Sequence, residues 1–352
     1  MLFFGFTFVI CFHRAKKGHK ATTSSKINYC VKYMFMVHGT ITVTAHITDF
    51  AALKAGILIA NYIGYMLKQV ALFEFLSVIL LCTTTLTFQI FIYRQKPLRL
   101  VWDKSPSLCL FFISITLLAV QDITLSCQWI LFGLGIVKNG SDNTFFLLIV
   151  AHFGLIIRQF HNCATIALFA QRVHHLLRPT HNVKKFNHTV LGVLFLFFTA
   201  GSTTATYNMV VHAKSNGRPV PDGCFSFNCM APNGASVRLW SSIFTVCITV
   251  VIMVLGSYML YLLHRYRKSK QSVIDRKRNK FALYVFYVRF VCETIPFLVD
   301  VLLSTTAGID LGKIVGPFGA LGSATDFTIK TVVYFFLTRQ HKTSGVALYR
   351  LT

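Results

Sequence analysis

The sequence predicts an all-α, polytopic membrane protein: a bundle of seven transmembrane helices with its N-terminus outside. Of the 352 residues, 54% are hydrophobic and 13% are charged, and the mean hydropathy is +0.60, so one soluble core cannot bury the apolar surface. The apolar residues collect in segments of about 20 residues or more, the length that a helix needs to cross a bilayer. The Lys and Arg residues number 35 and lie mostly in short runs between these segments. The net charge of +24 therefore indicates membrane topology and argues against a nucleic-acid partner.

The first part of the chain, residues 1–69, is expected to be an N-terminal extension of uncertain structure. Its first twelve residues, MLFFGFTFVICF, are apolar, but no basic segment precedes them and no cleavage site follows, which argues against a signal peptide. Charged residues and histidines interrupt the apolar residues of 31–66. Met66 stands just before the first convincing span, so the membrane domain can begin there. Residues 1–65 would then be a loose outer segment or a mis-joined exon.

The second part, residues 70–340, holds the seven predicted spans, and residues 341–352 form a short cytoplasmic tail. The spans are expected at residues 70–93, 107–136, 144–171, 189–212, 239–263, 281–303 and 312–337. Pro296 lies inside the sixth span, where a proline removes one backbone hydrogen bond and bends the helix.

The orientation follows from the basic residues between the spans. The loops and tail assigned to the cytoplasm hold 19 Lys and Arg residues and the outer loops hold 5, as the positive-inside rule requires. Asn139 begins a glycosylation sequon in the first outer loop, which supports the same orientation. Cys224 and Cys229 share the long second outer loop, where the environment is oxidising. They are disulfide candidates, either with each other or with one of them paired elsewhere.

Two polar motifs stand in consecutive spans. In the second span, the sequence LAVQDI contains Asp122, which is expected near mid-membrane. A carboxylate there is costly unless it is paired or hydrated. In the third span, Arg172 stands where the helix leaves the bilayer, seven residues before Pro179. In order and spacing, these motifs resemble the second and third helices of rhodopsin-like G-protein-coupled receptors.

The other motifs of that family are kept only in part. Pro296 matches the proline of the sixth helix and Tyr334 matches the tyrosine of the seventh, but Gln171 replaces the acid before the arginine. Leu147 stands where the family has its disulfide cysteine, so the usual link from the outer loop to the third helix is absent. These losses put the standard switch chemistry of the family in doubt.

Two further positions narrow the ligand. Ala324 stands where an opsin has its retinal-binding lysine, and Gly154 stands where an aminergic receptor has its aspartate. The resemblance therefore excludes a photoreceptor and disfavours biogenic amines.

Over residues 70–340 the chain resembles the nematode serpentine chemoreceptors, and GCFSFNCM and VGPFG are similar to segments of class bc of that group. The resemblance implies a chemosensory receptor of the plasma membrane, with a sensory cilium as one such location, that detects a small-molecule ligand and signals to a heterotrimeric G protein without a cofactor. It also implies a coupling switch formed by five residues: Arg172, Pro179, Asp122, Pro296 and Tyr334.

Charged residues inside the spans are expected to face the interior of the bundle. Arg289 and Glu293 lie four residues apart on one helix, and Asp326 and Lys330 repeat that spacing, so structural ion pairs are the favoured interpretation. The third span has no acid near Arg158, which leaves this arginine for a ligand or an interhelical contact. The ligand-pocket candidates are Arg158, Glu293 and Asp300.

His152 and His161 of the third span are expected to be hydrogen-bonded packing residues, and no metal site is predicted. The sequence contains none of the motifs HExxH, GxSxG or a phosphate-binding glycine loop, so no enzyme is expected. Two alternatives stay open: a transporter or channel, and a non-signalling membrane scaffold. The absence of an inverted repeat in the sequence disfavours the transporter.

Overall fold

The computed structural model describes residues 60–95, 97–138, 140–177, 183–213, 225, 235–265, 273–306 and 318–348. Within these ranges all regular structure is helical, as predicted. A π-helical turn, Phe290–Thr294, joins the seventh helix to the eighth. In chain order the helices are α1 (Ala60–Gln95), α2 (Leu98–Lys104), α3 (Pro106–Gly133), α4 (Ser141–Leu177), α5 (Val183–Ala213), α6 (Ala235–Arg265), α7 (Val273–Arg289), α8 (Ile295–Thr306) and α9 (Phe318–Leu348).

The chain forms two compact units, and the larger one, Lys68–Leu337, contains the predicted spans. The smaller unit combines Met1–Leu67 with Thr338–Thr352, and most of it lies outside the described residues. The larger unit alone carries the architecture considered below.

Six helical stretches of the described chain are long and apolar enough to cross a membrane: Lys68–Gln95, Pro106–Gly133, Asn143–Leu177, Lys185–Tyr207, Thr245–Arg265 and Asn279–Val299. They correspond to the first six predicted spans, so the prediction of a polytopic helical membrane protein is confirmed at this level. The helix α9 contains residues 318–337 of the predicted seventh span, and it is not one of the six. Its glycines, threonines and the charged pair Asp326 and Lys330 lower its hydropathy.

The surface of the larger unit is that of a protein surrounded by lipid. On α5, the apolar side chains of Val193, Phe195 and Leu196 are 61%, 67% and 70% exposed, and none of the 18 residues of its apolar window is buried. In water, so large an apolar surface would drive association. The helix α9 is buried where α5 is exposed: every residue from Ser323 to Val333 is buried. Polar residues therefore collect where protein, not lipid, surrounds them.

The observed helix ends differ from the predicted span ends by several residues. The helix α1 begins at Ala60, ten residues before the predicted span, because hydropathy marks the hydrocarbon and not the end of the helix. The helix α3 ends at Gly133, three residues before the predicted end at 136. There, Gly135 adopts a φ of 76°, and Ile136 N–H donates to Leu131 O at 3.1 Å. This is the glycine-dependent Schellman ending.

The helix α4, the predicted third span, lies at the centre of the bundle. It packs against α3, α5, α6 and α7. The helices α1 and α9 meet through Thr85 and Thr328, whose hydroxyl oxygens lie 2.9 Å apart. This arrangement places α4 and α9 on the inside, with their polar side chains facing neighbouring helices.

An apolar cluster closes the bundle at the end where α4 begins. Phe225, from the segment between α5 and α6, is buried with Phe75, Trp129 and Leu147, and its ring centroid lies 6.1 Å from that of Trp129. Leu147 stands where the family that the chain resembles has a disulfide cysteine. Phe225 therefore makes apolar contacts with residues of α1, α3 and α4 near that position.

Candidate functional site

The site begins with an interruption of the helix that contains Pro296. Proline has no N–H, and its ring clashes with the carbonyl four residues earlier, here that of Cys292. The chain widens into the π turn Phe290–Thr294, in which Ile295 N–H bonds to Phe290 O. Near Pro296, where a bend is predicted, the structure has a π turn that ends two residues before the proline.

The π turn lies very close to α9. A Cβ placed on Gly322 would stand 2.6 Å from the carbonyl oxygen of Cys292, closer than such atoms approach. Only a residue without a side chain fits at this point, so Gly322 allows α9 to pack directly on the π turn.

Arg289, the last residue of α7, links this turn to α4. Its Nη1 donates to Thr165 Oγ1 at 2.9 Å, and its Nη2 donates to Asn162 Oδ1. The same Nη2 lies 3.1 Å from Glu293 Oε2, which confirms the predicted ion pair. Glu293 in turn accepts a hydrogen bond from Ser323 of α9 at 3.5 Å. Arg289 and Glu293 therefore connect α4, the π turn and α9 in the interior.

The second predicted ion pair, Asp326 with Lys330, is also present, and both side chains are fully buried. The Lys330 Nζ lies 5.7 Å from the centroid of the Phe111 ring on α3, a cation–π contact. Asp326 Oδ1 has no hydrogen-bond partner among the described residues. This pair joins α9 to α3.

The two histidines of α4 have packing roles, as predicted. His161 Nδ1 lies 2.8 Å from Ser114 Oγ, and its ring packs between Phe111 and Phe327. His152 Nε2 lies 3.2 Å from Thr206 Oγ1 of α5. In the described part of the chain, no group of three His, Cys, Asp or Glu residues could hold a metal ion.

Arg158 and Asp122 differ from these paired groups. Asp122 is buried, and its Oδ2 has no hydrogen-bond partner within the described ranges. Arg158 is partly buried and lies within electrostatic reach of Asp122, Glu293 and His161. We refer to six charged residues as the ionic layer: Arg158, Arg289, Lys330, Asp122, Glu293 and Asp326.

Of the predicted switch residues, Asp122 belongs to the ionic layer and Pro296 follows the π turn, whereas Arg172 lies near the C-terminal end of α4. Arg172 is buried, and the adjacent Gln171 accepts a hydrogen bond from Ser105 at 2.8 Å, at the start of α3. The Tyr334 ring lies 4.5 Å from that of Phe112 and 5.1 Å from that of Phe281. Tyr334 therefore takes part in contacts among α3, α7 and α9.

The other predicted site residues cannot be placed. Asp300 belongs to α8, but its side chain is not among those described. Four further residues lie outside the described residues: Asn139, Pro179, Cys224 and Cys229.

The sequence did not reveal the partners of Arg289 on another helix. Asn162 and Thr165 lie three residues apart and so share a face of α4, but uncharged residues with this spacing are common in helices.

No protein-family model matches the chain, and no curated protein matches it significantly.

Proposed function

We propose that this protein is a seven-span, G-protein-coupled chemosensory receptor of the plasma membrane, with a sensory cilium as one such location. Its N-terminus lies outside, and α9 is the seventh span. A small-molecule ligand enters from the outer face and binds above the ionic layer. Helix α7 with α8 then moves about Pro296, and a heterotrimeric G protein binds the cytoplasmic end near Arg172.

The observation that carries this proposal is the position of the Arg289–Glu293 pair on a π turn. A π turn followed by a proline has fewer backbone constraints than a regular helix, and such turns are frequent at functional sites. Here it is also held to α4 and α9 by Arg289 and Glu293. A ligand that alters these contacts changes the balance between two packings of the bundle, which is what a two-state receptor needs.

The assignment of α9 as the seventh span is supported by length and burial. Its 31 residues extend about 46 Å at 1.5 Å per residue, which exceeds the roughly 30 Å of hydrocarbon. Because its central turns are buried among other helices, it does not need the hydropathy of a lipid-facing span. The distribution of Lys and Arg supports the outer N-terminus.

The cytoplasmic half supports a coupling role for Arg172. A buried arginine at the end of the central helix is next to Gln171, which is tied to Ser105 at the junction of α2 and α3. Tyr334 packs between Phe112 of α3 and Phe281, the first residue of the predicted sixth span. Movement of α7 would therefore change the packing around Tyr334.

The test is expression of the full chain in cultured cells exposed to a panel of odorants and small metabolites, with cyclic AMP and calcium as readouts. A responding compound is then applied to cells that lack the relevant Gα subunits. We expect the response to disappear there, and also in Arg172→Ala, while Lys138→Ala, a charge removed from the first outer loop, keeps it. Surface labelling checks that all variants reach the membrane.

The main rival is a transporter or channel, in which the ionic layer would line a path. A ligand-dependent current or uptake that persists in cells without Gα subunits would establish that rival and reject the receptor. A chain that gives neither a second-messenger response nor a current to any compound would favour the non-signalling scaffold.

A further inference from the structure

We propose that Arg158 is the anion-binding residue of the ligand site, and that the ligand class is small organic carboxylates. This inference rests on the proposed function for its biological role, but the binding itself is independent of any G protein.

The first argument is that Arg158 has unused donors. A guanidinium carries five N–H donors, and Arg158 makes neither a hydrogen bond nor an ion pair with any described residue. In a membrane interior such a group is costly unless an anion or water meets it. The side chain therefore has both the need and the capacity for an anionic partner.

The second argument is that the other charges of the ionic layer are already committed. Arg289 is paired with Glu293, and Lys330 is paired with Asp326. The remaining acid, Asp122, is within electrostatic reach of Arg158 but forms no ion pair with it. Asp122 therefore lowers the positive potential at Arg158 without occupying its donors.

The third argument is the absence of a side chain on α4 one turn before Arg158. Gly154 lies one turn before it on the same face of α4, and side chains of a helix tilt towards its N-terminus. The atoms nearest to a Cβ at Gly154 would be those of the Gln121 side chain, the closest at 3.3 Å. Gln121 Nε2 itself donates to Val150 O, which fixes the amide at this position. Because Gly154 has no side chain, the polar amide of Gln121 lies against α4 one turn before Arg158, where it can contribute to binding an anion.

The fourth argument is chemical. The planar fork of a guanidinium matches the two oxygens of a carboxylate, and such pairs form two parallel hydrogen bonds. The helices α3 and α4 beside this position are long apolar helices, so an organic anion with an apolar body suits the interior between them better than an inorganic ion does. Neutral isosteres of the same shape lack the charge that Arg158 requires.

The test uses the purified full chain in lipid nanodiscs and measures its melting temperature with benzoate, phenylacetate or hexanoate. Each carboxylate is paired with its amide, and phenyl phosphate serves as a second oxyanion. We expect the carboxylates to raise the melting temperature and the amides to leave it unchanged. The affinity for the carboxylates is expected to fall about ten- to a hundred-fold in Arg158→Gln.

Two further variants make the result decisive. Arg265→Gln removes an equal charge from an exposed position at the end of α6 and should bind carboxylates as the wild type does. Arg158→Lys keeps the charge but loses the fork, and we expect about ten-fold weaker binding, which gives a result even if Arg158→Gln does not fold.

Three outcomes would overturn the inference: no carboxylate raises the melting temperature, amides act equally, or both Arg158 variants bind as the wild type does. A preference for phenyl phosphate would reject carboxylates as the ligand class. Carboxylate binding without any cellular response would leave this inference standing and reject the proposed receptor function. Cellular responses to uncharged ligands alone would do the reverse.

Discussion

The contact between Gly322 and the π turn gives the most direct test of the structure. Gly322→Ala would place a Cβ 2.6 Å from Cys292 O, whereas carbon and oxygen atoms in proteins approach to about 3.3 Å. The helix α9 and the π turn would therefore have to separate locally by roughly 0.7 Å. Both partners at this point are backbone, so no side chain can turn aside to relieve the contact.

The magnitude follows from two opposing effects. Overpacking a close contact costs about 1–3 kcal/mol, while replacing glycine by alanine inside a helix stabilises it by about 0.5–1 kcal/mol. Gly319→Ala, one turn earlier on the same helix, provides the control, because nothing lies within 4 Å of a Cβ there. The difference in the free energy of unfolding between the two variants should therefore be about 1–3 kcal/mol, with Gly322→Ala the less stable.

The assay is thermal unfolding of the two purified variants in the same detergent, followed by intrinsic tryptophan fluorescence. At about 2–4 °C per kcal/mol, the melting temperatures should differ by roughly 2–12 °C. A Gly322→Ala variant that melts at or above the temperature of Gly319→Ala would refute the close packing of α9 on the π turn. It would also remove the basis for linking Pro296 to the ionic layer.

Three other predictions follow from the ionic layer, the topology and the division into units. Arg289→Met should destabilise the protein by about 3–5 kcal/mol, because Glu293 is left buried without its partner. Adding Glu293→Leu should restore most of the lost stability. Thermal unfolding of both variants measures this, and no recovery in the double variant would contradict the prediction. Asn139 should be glycosylated, whereas Asn187, which is buried in α5 and predicted to be cytoplasmic, should not be. Mass shifts of single-site variants after glycosidase treatment show which asparagine carries sugar. Sugar on Asn187 would invert the topology. A chain that starts at Met66 should reach the cell surface as well as the full chain, because the larger unit begins at Lys68; surface labelling compares them, and loss of expression would make residues 1–65 part of the folded protein.

Features that depend on local sequence were predicted correctly. Hydropathy gave six of the spans, because a helix long and apolar enough to cross the bilayer satisfies its own backbone and needs no distant partner. The pairs Arg289 with Glu293 and Asp326 with Lys330 were predicted for the same reason: residues four apart on a helix are neighbours in any fold. The distortion at Pro296 also follows from the residue itself.

The helix α9 marks the limit of hydropathy as a guide. Its polar and charged residues, including Asp326 and Lys330, place it below the six candidate spans. It is nonetheless the most continuously buried of the described helices in its central turns. High hydropathy is required of a helix that contacts lipid. A helix surrounded by other helices does not need high hydropathy.

What only the tertiary structure decided is which distant residues meet. Nothing in the local sequence shows that Arg289 bonds to Asn162 and Thr165 or that Gly322 lies against Cys292. The packing of Phe225 near Leu147, the position at which the resembled receptors have a disulfide cysteine, likewise depends on how the helices assemble. The sequence determines which segments enter the membrane, because that choice depends on the chemistry of each segment alone. The contacts between segments depend on shape and on small or polar residues whose partners lie on other helices, 127 positions away in the case of Arg289 and Asn162. Those contacts are fixed only when the bundle packs.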